Sequence, residues 1–591
     1  MKNWRLTLLQ AFFAVFAAAI LGRLFYWQIV RYDQFAAAAS SQHLTTVSLG
    51  AERGKILASD GEILVSNQTS YLLYASLKDF KKAKPSEKTY EAYVKESVDR
   101  LTPALLEEKI NLLKEPDKIA GAEKDLLRDS IKDSLIKSLT AEKVVWVDLG
   151  RKISEKTKDQ IEALKIAGLG FEEQSSRFYP NGSLASHLLG FVGVDADGND
   201  KGYSGLEGFF DEQLRGRSGL LTEEVDAQGH PILAGLKSGA APEDGFDIVT
   251  TIDRSVQYLV EKNLAEGVKK YNPRIGSVIV LDVKTGQVLA MANLPSFDPA
   301  KWPSFEDKEL RNSAIDDVYE PGSTFKLVTA SAGLDSGAIK TDTICPCEGP
   351  IRVGGYEVQT WNNKYHPNTN VAQILQKSDN TGAAFIADRI GKEKFIDYVE
   401  KFGFGEKLGV DLQGEESGII KSPQDWYAID MVTAAFGQGI SVTALQMVSA
   451  ISAVANDGKL MKPYVVKEVR GQDKTIETKP AEIRQVIKPA VAAQMREILL
   501  SAVEEGEAKR LIPHGLRIGG KTGTAQIPIA GHYDPNKSVA SFVGFGPVEN
   551  PKFAMIVRYF EPTPIYGAET AEPTFFKIAQ DLYSYWGIPI N

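Results

Sequence analysis

The chain of 591 residues is long enough for several domains, and its 43% hydrophobic and 25% charged residues are typical of folded globular protein. Its net charge of −9 argues against nucleic acid as the main partner. The only two cysteines, Cys345 and Cys347, exclude a disulfide framework, and the six histidines form no ligand cluster. Because one intervening residue is a poor spacing for metal, we expect two buried, idle thiols. A local disulfide is the alternative in an oxidising compartment.

A long apolar segment lies close to the N-terminus. Lys2 and Arg5 precede an apolar run over residues 6–22, which resumes over 24–30. About 20 apolar residues cross a bilayer, and positive charge before the run predicts a cytoplasmic N-terminus. We therefore predict a cytoplasmic tail over residues 1–5 and a single membrane anchor over 6–30, with the remainder exported. The alternative is a cleaved signal peptide with its cut site at residues 36–38.

The first exported segment, residues 31–240, predicts a mixed domain without catalytic residues. Residues 51–67 are predicted to be extended, and residues 80–165 carry apolar positions at helical spacing between charged residues. Its glycine-rich stretches lack the features of a phosphate-binding loop, so we expect turns and close packing there. We interpret Lys237-Ser238-Gly239 as a surface turn and residues 238–245 as a linker.

The second exported domain, residues 246–591, is predicted to contain an antiparallel sheet covered by helices. A helix is predicted over 254–271, followed by strands over 277–282 and 287–292 that a glycine-containing hairpin turn joins. The whole chain is therefore predicted to be α/β (α+β), with a membrane helix, a mixed domain and this sheet domain.

A candidate nucleophile, Ser323, lies in the stretch Glu-Pro-Gly-Ser-Thr-Phe-Lys over residues 320–326. The apolar residues that follow predict a buried helix over 324–335, with the serine at its first turn. Positions i and i+3 share one helix face, so the hydroxyl of Ser323 and the amine of Lys326 are expected to meet. A serine beside a lysine is a nucleophile beside its candidate base.

Two further motifs follow the nucleophile. Ser378-Asp379-Asn380 precedes a predicted helix, on a turn where side chains can face a cleft. Lys521-Thr522-Gly523-Thr524 lies in a predicted strand over 518–527. The glycines of that strand allow a ligand or another backbone to come close.

Each motif taken alone has an ordinary structural explanation. A second serine–lysine pair, Ser134 and Lys137, lies in a charged amphipathic segment and is interpreted as a solvated helix face. A second Lys-Thr-Gly, at residues 284–286, is interpreted as a hairpin turn with its lysine in solvent. Serine and asparagine are common in turns and helix caps. The order and context of the three motifs together favour one catalytic site.

Acyl transfer needs this combination of residues. Ser323 attacks a carbonyl carbon and becomes an acyl ester, while Lys326 accepts the proton as a neutral amine. A free lysine has a pKa of about 10.4, so burial or a second cation must lower it. Lys521 is the candidate second cation, and Ser378 is a candidate proton relay to the leaving amine.

The remaining motif residues are candidates for substrate binding. Asn380 is expected to bind a peptide amide, and Thr522, Gly523 and Thr524 are expected to bind a carboxylate or peptide backbone. The backbone N–H groups of Ser323 and Thr524 are candidate oxyanion donors, each worth about 3 kcal/mol in the transition state.

With these motifs the chain resembles the class B penicillin-binding proteins, the serine D,D-transpeptidases of bacterial cell-wall synthesis. The resemblance spans almost the whole chain, from the anchor through Arg177-x-Tyr179-Pro180 and Gly205-Leu206-Glu207 to the stretch over 436–443. Within the class, the chain is most similar to the FtsI and SpoVD type of septal synthesis.

The resemblance implies a function, a location and partners. Ser323 would release the terminal D-alanine of a D-Ala-D-Ala stem peptide, and an amine of a neighbouring stem would take the acyl group. β-Lactams would be covalent inhibitors, and neither a metal nor an organic cofactor is expected. The protein would lie in the bacterial cytoplasmic membrane with its catalytic domain outside. Residues 31–240 would be a pedestal that binds an FtsW-like glycan polymerase and other division proteins.

Three alternatives stay open at this stage. A β-lactamase shares the motifs, but class A enzymes add a glutamate for deacylation, and no clear Glu-x-x-x-Asn loop lies between Asn380 and Lys521. An elongation-specific transpeptidase shares the chemistry. A drug sensor or scaffold would keep the motifs without crosslinking.

Overall fold

A computed structural model describes residues 3–35, 44–196, 198–225, 232, 237–506, 509, 513–529 and 532–590. It divides into two compact units, one of Met1–Arg53 with Arg215–Gly245 and the other of Gly54–Leu214 with Phe246–Asn591. The alternative cut site at residues 36–38 lies outside the described residues.

The secondary structure follows in chain order. The α-helices with both ends described are α1 (Trp4–Phe25), α2 (Leu77–Lys82), α3 (Tyr90–Asn111), α4 (Gly121–Leu139), α5 (Glu155–Glu162), α6 (Ser186–Leu189), α7 (Gly205–Phe209), α8 (Asp211–Arg215), α9 (Arg254–Tyr271), α10 (Asp307–Leu310), α11 (Lys326–Asp335), α12 (Val371–Gln376), α13 (Asn380–Ile390), α14 (Lys392–Lys401), α15 (Ala428–Ala434), α16 (Ala444–Ala455), α17 (Pro489–Glu504) and α18 (Ala571–Tyr585). The strands are β1 (Leu44–Leu49), β2 (Ile56–Leu57), β3 (Ile63–Ser76), β4 (Trp146–Ile153), β5 (Leu169–Phe178), β6 (Val192–Val194), β7 (Asp200–Gly202), β8 (Gly219–Glu224), β9 (Lys237–Ala240), β10 (Asp247–Thr250), β11 (Ile275–Asp282), β12 (Val288–Leu294), β13 (Ile351–Val353), β14 (Tyr356–Val358), β15 (Lys459–Met461), β16 (Val466–Arg470), β17 (Thr475–Glu477), β18 (Glu482–Gln485), β19 (Gly519–Ile529), β20 (His532–Gly546) and β21 (Phe553–Phe560). Short 3₁₀ helices lie at Pro116–Lys118, Pro299–Ser304, Gly322–Phe325, Pro423–Asp425 and Gly567–Glu569.

The first unit contains an apolar helix and a three-stranded sheet. Helix α1 continues as a π-helical turn over Tyr26–Val30, and the span Trp4–Val30 has a mean hydropathy of 2.0. Within the described residues it is the one helix long and apolar enough to cross a membrane. The guanidinium of Arg23 lies 4.8 Å from the ring centre of Trp27, which suits a membrane–water interface.

The interpretation of Lys237-Ser238-Gly239 as a surface turn is wrong. These residues lie in β9, which pairs antiparallel with β8 in a sheet of order β1-β8-β9. All four residues of β9 are exposed, so the segment has no alternation of apolar and polar residues that would predict a strand. A linker over 238–245 is therefore wrong for residues 238–240.

In the second unit, a mixed sheet has the strand order β17-β16-β10-β2-β3-β4, and β5 also pairs with β3. Helix α3 packs beside this sheet, with its predicted apolar face, Val94, Val98, Leu101 and Leu105, buried in one core. Ser134 and Lys137 are exposed on α4, which confirms a solvated helix face.

The other large sheet of this unit has the order β12-β11-β21-β20-β19, and all its pairs are antiparallel. Successive residues of β11 enter two different cores, because side chains alternate between the faces of a strand. Val278 and Val280 pack with α9 and α18, whereas Ile279 and Leu281 pack with α11 and α16. The prediction of an antiparallel sheet covered by helices is confirmed, and β19 lies at one edge of it.

The two cysteines form a disulfide, so the prediction of idle thiols is wrong. Cys345 and Cys347 are buried as predicted, but their Cα atoms are 5.3 Å apart, a distance that suits a disulfide. A left-handed backbone at Cys347 (φ 43°) brings the two residues together across a single intervening residue.

Replacing Phe542 by alanine tests the core between the antiparallel sheet and helices α9 and α18. The ring of Phe542 is 1% exposed, and its centre lies 4.6 Å from that of Phe575 on α18. Loss of a buried phenylalanine leaves a cavity, so we expect the free energy of unfolding to fall by about 3–5 kcal/mol. The matched control is Phe209→Ala, whose ring is 48% exposed. Chemical denaturation measures both variants, and equal losses would contradict the assignment of the core.

Candidate active site

Ser323 lies in a single 3₁₀ turn, Gly322–Phe325, and α11 begins only at Lys326. The predicted α-helix over 324–335 therefore begins two residues too early. In a 3₁₀ turn the side chains at i and i+3 lie above one another. This arrangement places the Lys326 amine 3.0 Å from the Ser323 hydroxyl oxygen, as the spacing predicts.

The amine of Lys326 joins the first two motifs. The side chain is 1% exposed, so its head group is removed from water. Besides Ser323, Nζ contacts three oxygens of the second motif: the Ser378 carbonyl at 2.5 Å, the Ser378 hydroxyl at 3.2 Å and the Asn380 side-chain carbonyl at 2.8 Å. The Asn380 amide nitrogen donates to the Gln359 carbonyl at 3.0 Å, which fixes the orientation of this amide.

The second motif is held by the start of α13. Asp379 is the N-cap of this helix, and its carboxylate accepts hydrogen bonds from the backbone N–H groups of Thr381 and Gly382. Ser378, just before the cap, has a left-handed backbone (φ 52°), which is unusual for serine. The turn therefore presents both the carbonyl and the hydroxyl of Ser378 to the Lys326 amine.

The third motif lies on edge strand β19, directly against the 3₁₀ turn Gly322–Phe325 that carries Ser323. A Cβ atom on Gly523 would lie 2.9 Å from the Thr324 side chain and 3.0 Å from the Pro321 carbonyl oxygen. Likewise, a Cβ on Gly322 would lie 3.2 Å from that of Ala525. The glycines therefore permit a contact between the strand and the turn that larger residues would prevent.

The other side chains of the third motif have local contacts. The Lys521 amine, buried at 5% exposure, donates to the Thr522 hydroxyl at 3.0 Å. The Thr524 hydroxyl accepts from the backbone N–H of Gly567 at 3.0 Å. Thus Ser323, Lys326, Ser378 and Asn380 form one contact cluster, and residues 521–524 lie along the adjoining strand.

The sequence analysis missed a set of contacts behind the turn of Ser323. This set, here called the brace, joins Glu320 and Gly322 to the loop of Gly437 and Gly439. The Gly322 N–H donates to the Gly437 carbonyl at 3.0 Å, and the Gly439 N–H donates to the Glu320 carboxylate at 3.0 Å. The Tyr533 hydroxyl also donates to this carboxylate, and burial raises the pKa of Glu320. The glycines at 437 and 439 were the available signal, but they do not reveal which backbone they contact.

Comparison with known proteins shows the family to which the chain belongs. Residues 276–580 match the model of the penicillin binding protein transpeptidase domain. The chain belongs to the penicillin-binding protein transpeptidase family. Residues 48–250 match the penicillin-binding protein dimerisation domain, so both parts of a class B penicillin-binding protein are present. The family's enzymes are peptidoglycan D,D-transpeptidases.

Named relatives cover most of this penicillin-binding protein. Stage V sporulation protein D of Bacillus subtilis is 33% identical over 574 residues, which is 96% of this chain and 83% of the relative. Peptidoglycan D,D-transpeptidase FtsI of Escherichia coli is 30% identical, over 73% of this chain and 71% of the relative. A crystal structure of penicillin binding protein 3 from Mycobacterium tuberculosis complexed with aztreonam has a TM-score of 0.67 at 25% identity, covering 92% of this chain and 98% of that one.

The brace is tested by Gly437→Ala. The new Cβ would lie 2.2 Å from the Gly322 carbonyl oxygen, so the turn that carries Ser323 must shift. Because a displacement of about 1 Å costs about 100-fold in rate, we expect acylation by a fluorescent penicillin to slow by at least that factor.

The matched control is Gly391→Ala, because Gly391 has nearly the same positive φ (80° against 79° for Gly437) but nothing within 4 Å of the new Cβ. It adds backbone strain without a clash, so the acylation rate should stay within about two-fold of wild type. Equal slowing of both variants would show that strain alone, and not the contact with Gly322, is responsible.

Proposed function

We propose that this protein crosslinks peptidoglycan stem peptides through an acyl-enzyme on Ser323, in septal wall synthesis. The observation that carries the proposal is the buried Lys326 amine, 3.0 Å from the Ser323 hydroxyl and surrounded by the Ser378-Asp379-Asn380 segment. Nucleophile and base are in hydrogen-bond contact, as nucleophilic catalysis requires.

The proposal requires an uncharged Lys326 amine before reaction, and the burial of this side chain acts in that direction, because removal from water penalises the charged form. The Ser378 carbonyl and the Asn380 side-chain carbonyl can only accept hydrogen bonds. A neutral amine has two N–H groups for these two acceptors. Its lone pair is then left for the Ser323 hydroxyl, 3.0 Å away. The lone pair therefore accepts the proton of Ser323 when its oxygen attacks the substrate carbonyl carbon.

The rest of acylation follows from the same contacts. The tetrahedral intermediate collapses when the peptide C–N bond to the terminal D-alanine breaks. The leaving amine must gain a proton, and the Ser378 hydroxyl, 3.2 Å from the Lys326 amine, is placed to relay it. In the second half, an amine of a neighbouring stem attacks the ester carbonyl carbon and gives up a proton to Lys326. The C–O bond to Ser323 then breaks, and the proton passes from Lys326 to the released serine oxygen.

The third motif is proposed to hold the substrate. Because β19 is an edge strand, its outer backbone groups are available to an extended peptide. Lys521, Thr522 and Thr524 are proposed to bind the terminal carboxylate, and Gly523 admits the peptide close to the strand. The backbone N–H groups of Ser323 and Thr524 are the proposed oxyanion donors.

The membrane arrangement and the partners are also part of the proposal. The helix Trp4–Val30 is proposed to cross the cytoplasmic membrane once, with the N-terminus inside, as the charges of Lys2 and Arg5 favour. Residues 31–240 are proposed to form a pedestal for an FtsW-like polymerase and other division proteins, and residues 246–591 the transpeptidase domain. The aztreonam complex of the mycobacterial relative supports β-lactams as ligands of this chain, and we propose that they bind covalently to Ser323.

The acyl-enzyme is tested with fluorescent penicillin and mass spectrometry. We expect one adduct, on Ser323, and no labelling of Ser323→Ala, because that variant has no nucleophile. The matched control is Ser134→Ala, which removes the other serine–lysine pair and should label like wild type. An adduct elsewhere, or rapid hydrolysis of penicillin as in a β-lactamase, would refute the proposal.

The septal role is tested by location in dividing cells. A fluorescent fusion should gather at the division septum, and Ser323→Ala should fail to replace the wild-type gene. Uniform placement along the side wall would instead support the elongation-specific role. Complementation by Ser323→Ala would support a scaffold.

A further inference from the structure

Two buried polar atoms next to the second motif lack hydrogen-bond partners within the described chain. One is Oδ2 of Asp379, whose side chain is fully buried and whose Oδ1 accepts three hydrogen bonds from Thr381 and Gly382. The other is Nδ1 of His366. The two atoms lie 3.7 Å apart. A hydrogen on Nδ1 of His366 would supply the donor that Oδ2 of Asp379 lacks, and Oδ2 would supply the acceptor. A buried polar atom without a partner is costly, which favours closure of this contact.

The loop over 359–369, which carries His366, has hydrogen bonds near both of its ends. At its start, the Gln359 carbonyl accepts from the Asn380 amide at 3.0 Å. Near its end, the Thr369 hydroxyl donates to the His366 carbonyl at 3.3 Å, and the Thr369 carbonyl accepts from the Cys345 N–H at 2.8 Å. The loop that places the imidazole beside Asp379 is therefore itself held, by Asn380 at one end and by Cys345 at the other.

We infer that His366 is a positioning residue of the transpeptidase site, whose Nδ1–H donates to Asp379 Oδ2. The inference rests on the proposed function, because it concerns the segment that touches Lys326. Ser378 has a left-handed backbone, which persists only where the surroundings hold it. The Oδ1 contacts of Asp379 cap α13, and the Oδ2 contact adds a tie to the loop. Together they keep the Ser378 carbonyl and hydroxyl on the amine.

The test measures the second-order rate of acylation by fluorescent penicillin in the full chain. His366→Leu removes the donor and leaves Asp379 Oδ2 buried without a partner, so acylation should slow about ten-fold or more. His366→Asn keeps an N–H at the position of Nδ1 and should restore the rate to within about three-fold of wild type. Equal slowing in both variants, or no slowing in His366→Leu, would overturn the inference.

A double-mutant cycle separates positioning from a general loss of packing. Asp379→Ser keeps a capping oxygen but removes Oδ2, so His366 loses its role. In that background His366→Leu should change the rate by less than about two-fold. The same ten-fold loss in both backgrounds would show that His366 acts independently of Asp379.

A measurement on the unmodified chain does not depend on whether the leucine variant folds. Nitrogen NMR of labelled histidine, with His366→Asn to assign the signal, should show a proton on Nδ1. A neutral ring protonated only at Nε2 would overturn the inference. This readout needs no activity, so its failure differs from a failure of labelling at Ser323, which would overturn the proposed function instead.

Discussion

The buried contact between the Lys326 amine and the Ser323 hydroxyl is the interaction on which the site depends. An amine can act as a base only if it is uncharged, and a lysine head group in water is charged at neutral pH. The protein encloses this amine with the Ser378-Asp379-Asn380 segment and gives it two carbonyl acceptors. If the amine is uncharged, as the proposed function requires, these two acceptors take its two N–H groups and leave its lone pair for the Ser323 hydroxyl.

This contact requires that the backbones of segments far apart in the chain pack directly against each other. Gly322, Gly437 and Gly523 permit it, because a Cβ on any of them would lie within about 3.3 Å of the facing segment. The antiparallel sheet supplies the rigid support, since β11 and β21 are buried between two cores and β19 is left at the edge. The turn that carries Ser323 thus lies between edge strand β19 and the loop that contains Gly437.

Local pattern predicted the parts whose signals are local. Helix α9 is predicted over its observed bounds, and in the structure Asp253 caps it. The hairpin between β11 and β12 follows from the turn at 284–286. The serine–lysine contact follows from spacing in either an α or a 3₁₀ turn, so the error in helix type did not affect it.

What pattern missed depends on tertiary contacts. Strand β9 is exposed and short, and only its pairing with β8 makes it a strand. The Cys345–Cys347 disulfide depends on a left-handed backbone, which the residue types do not reveal. The Glu320 brace and the approach of His366 to Asp379 join segments distant in the chain, and neither leaves a periodic signal.

Neutron crystallography of the free protein locates the hydrogen atoms on Lys326 and so shows whether its amine is uncharged. We expect two deuterons on Nζ, directed at the Ser378 carbonyl and the Asn380 side-chain carbonyl, with the Ser323 hydroxyl deuteron directed at Nζ. Three deuterons on Nζ at neutral pH would contradict this expectation, because a charged amine cannot accept the proton of the nucleophile.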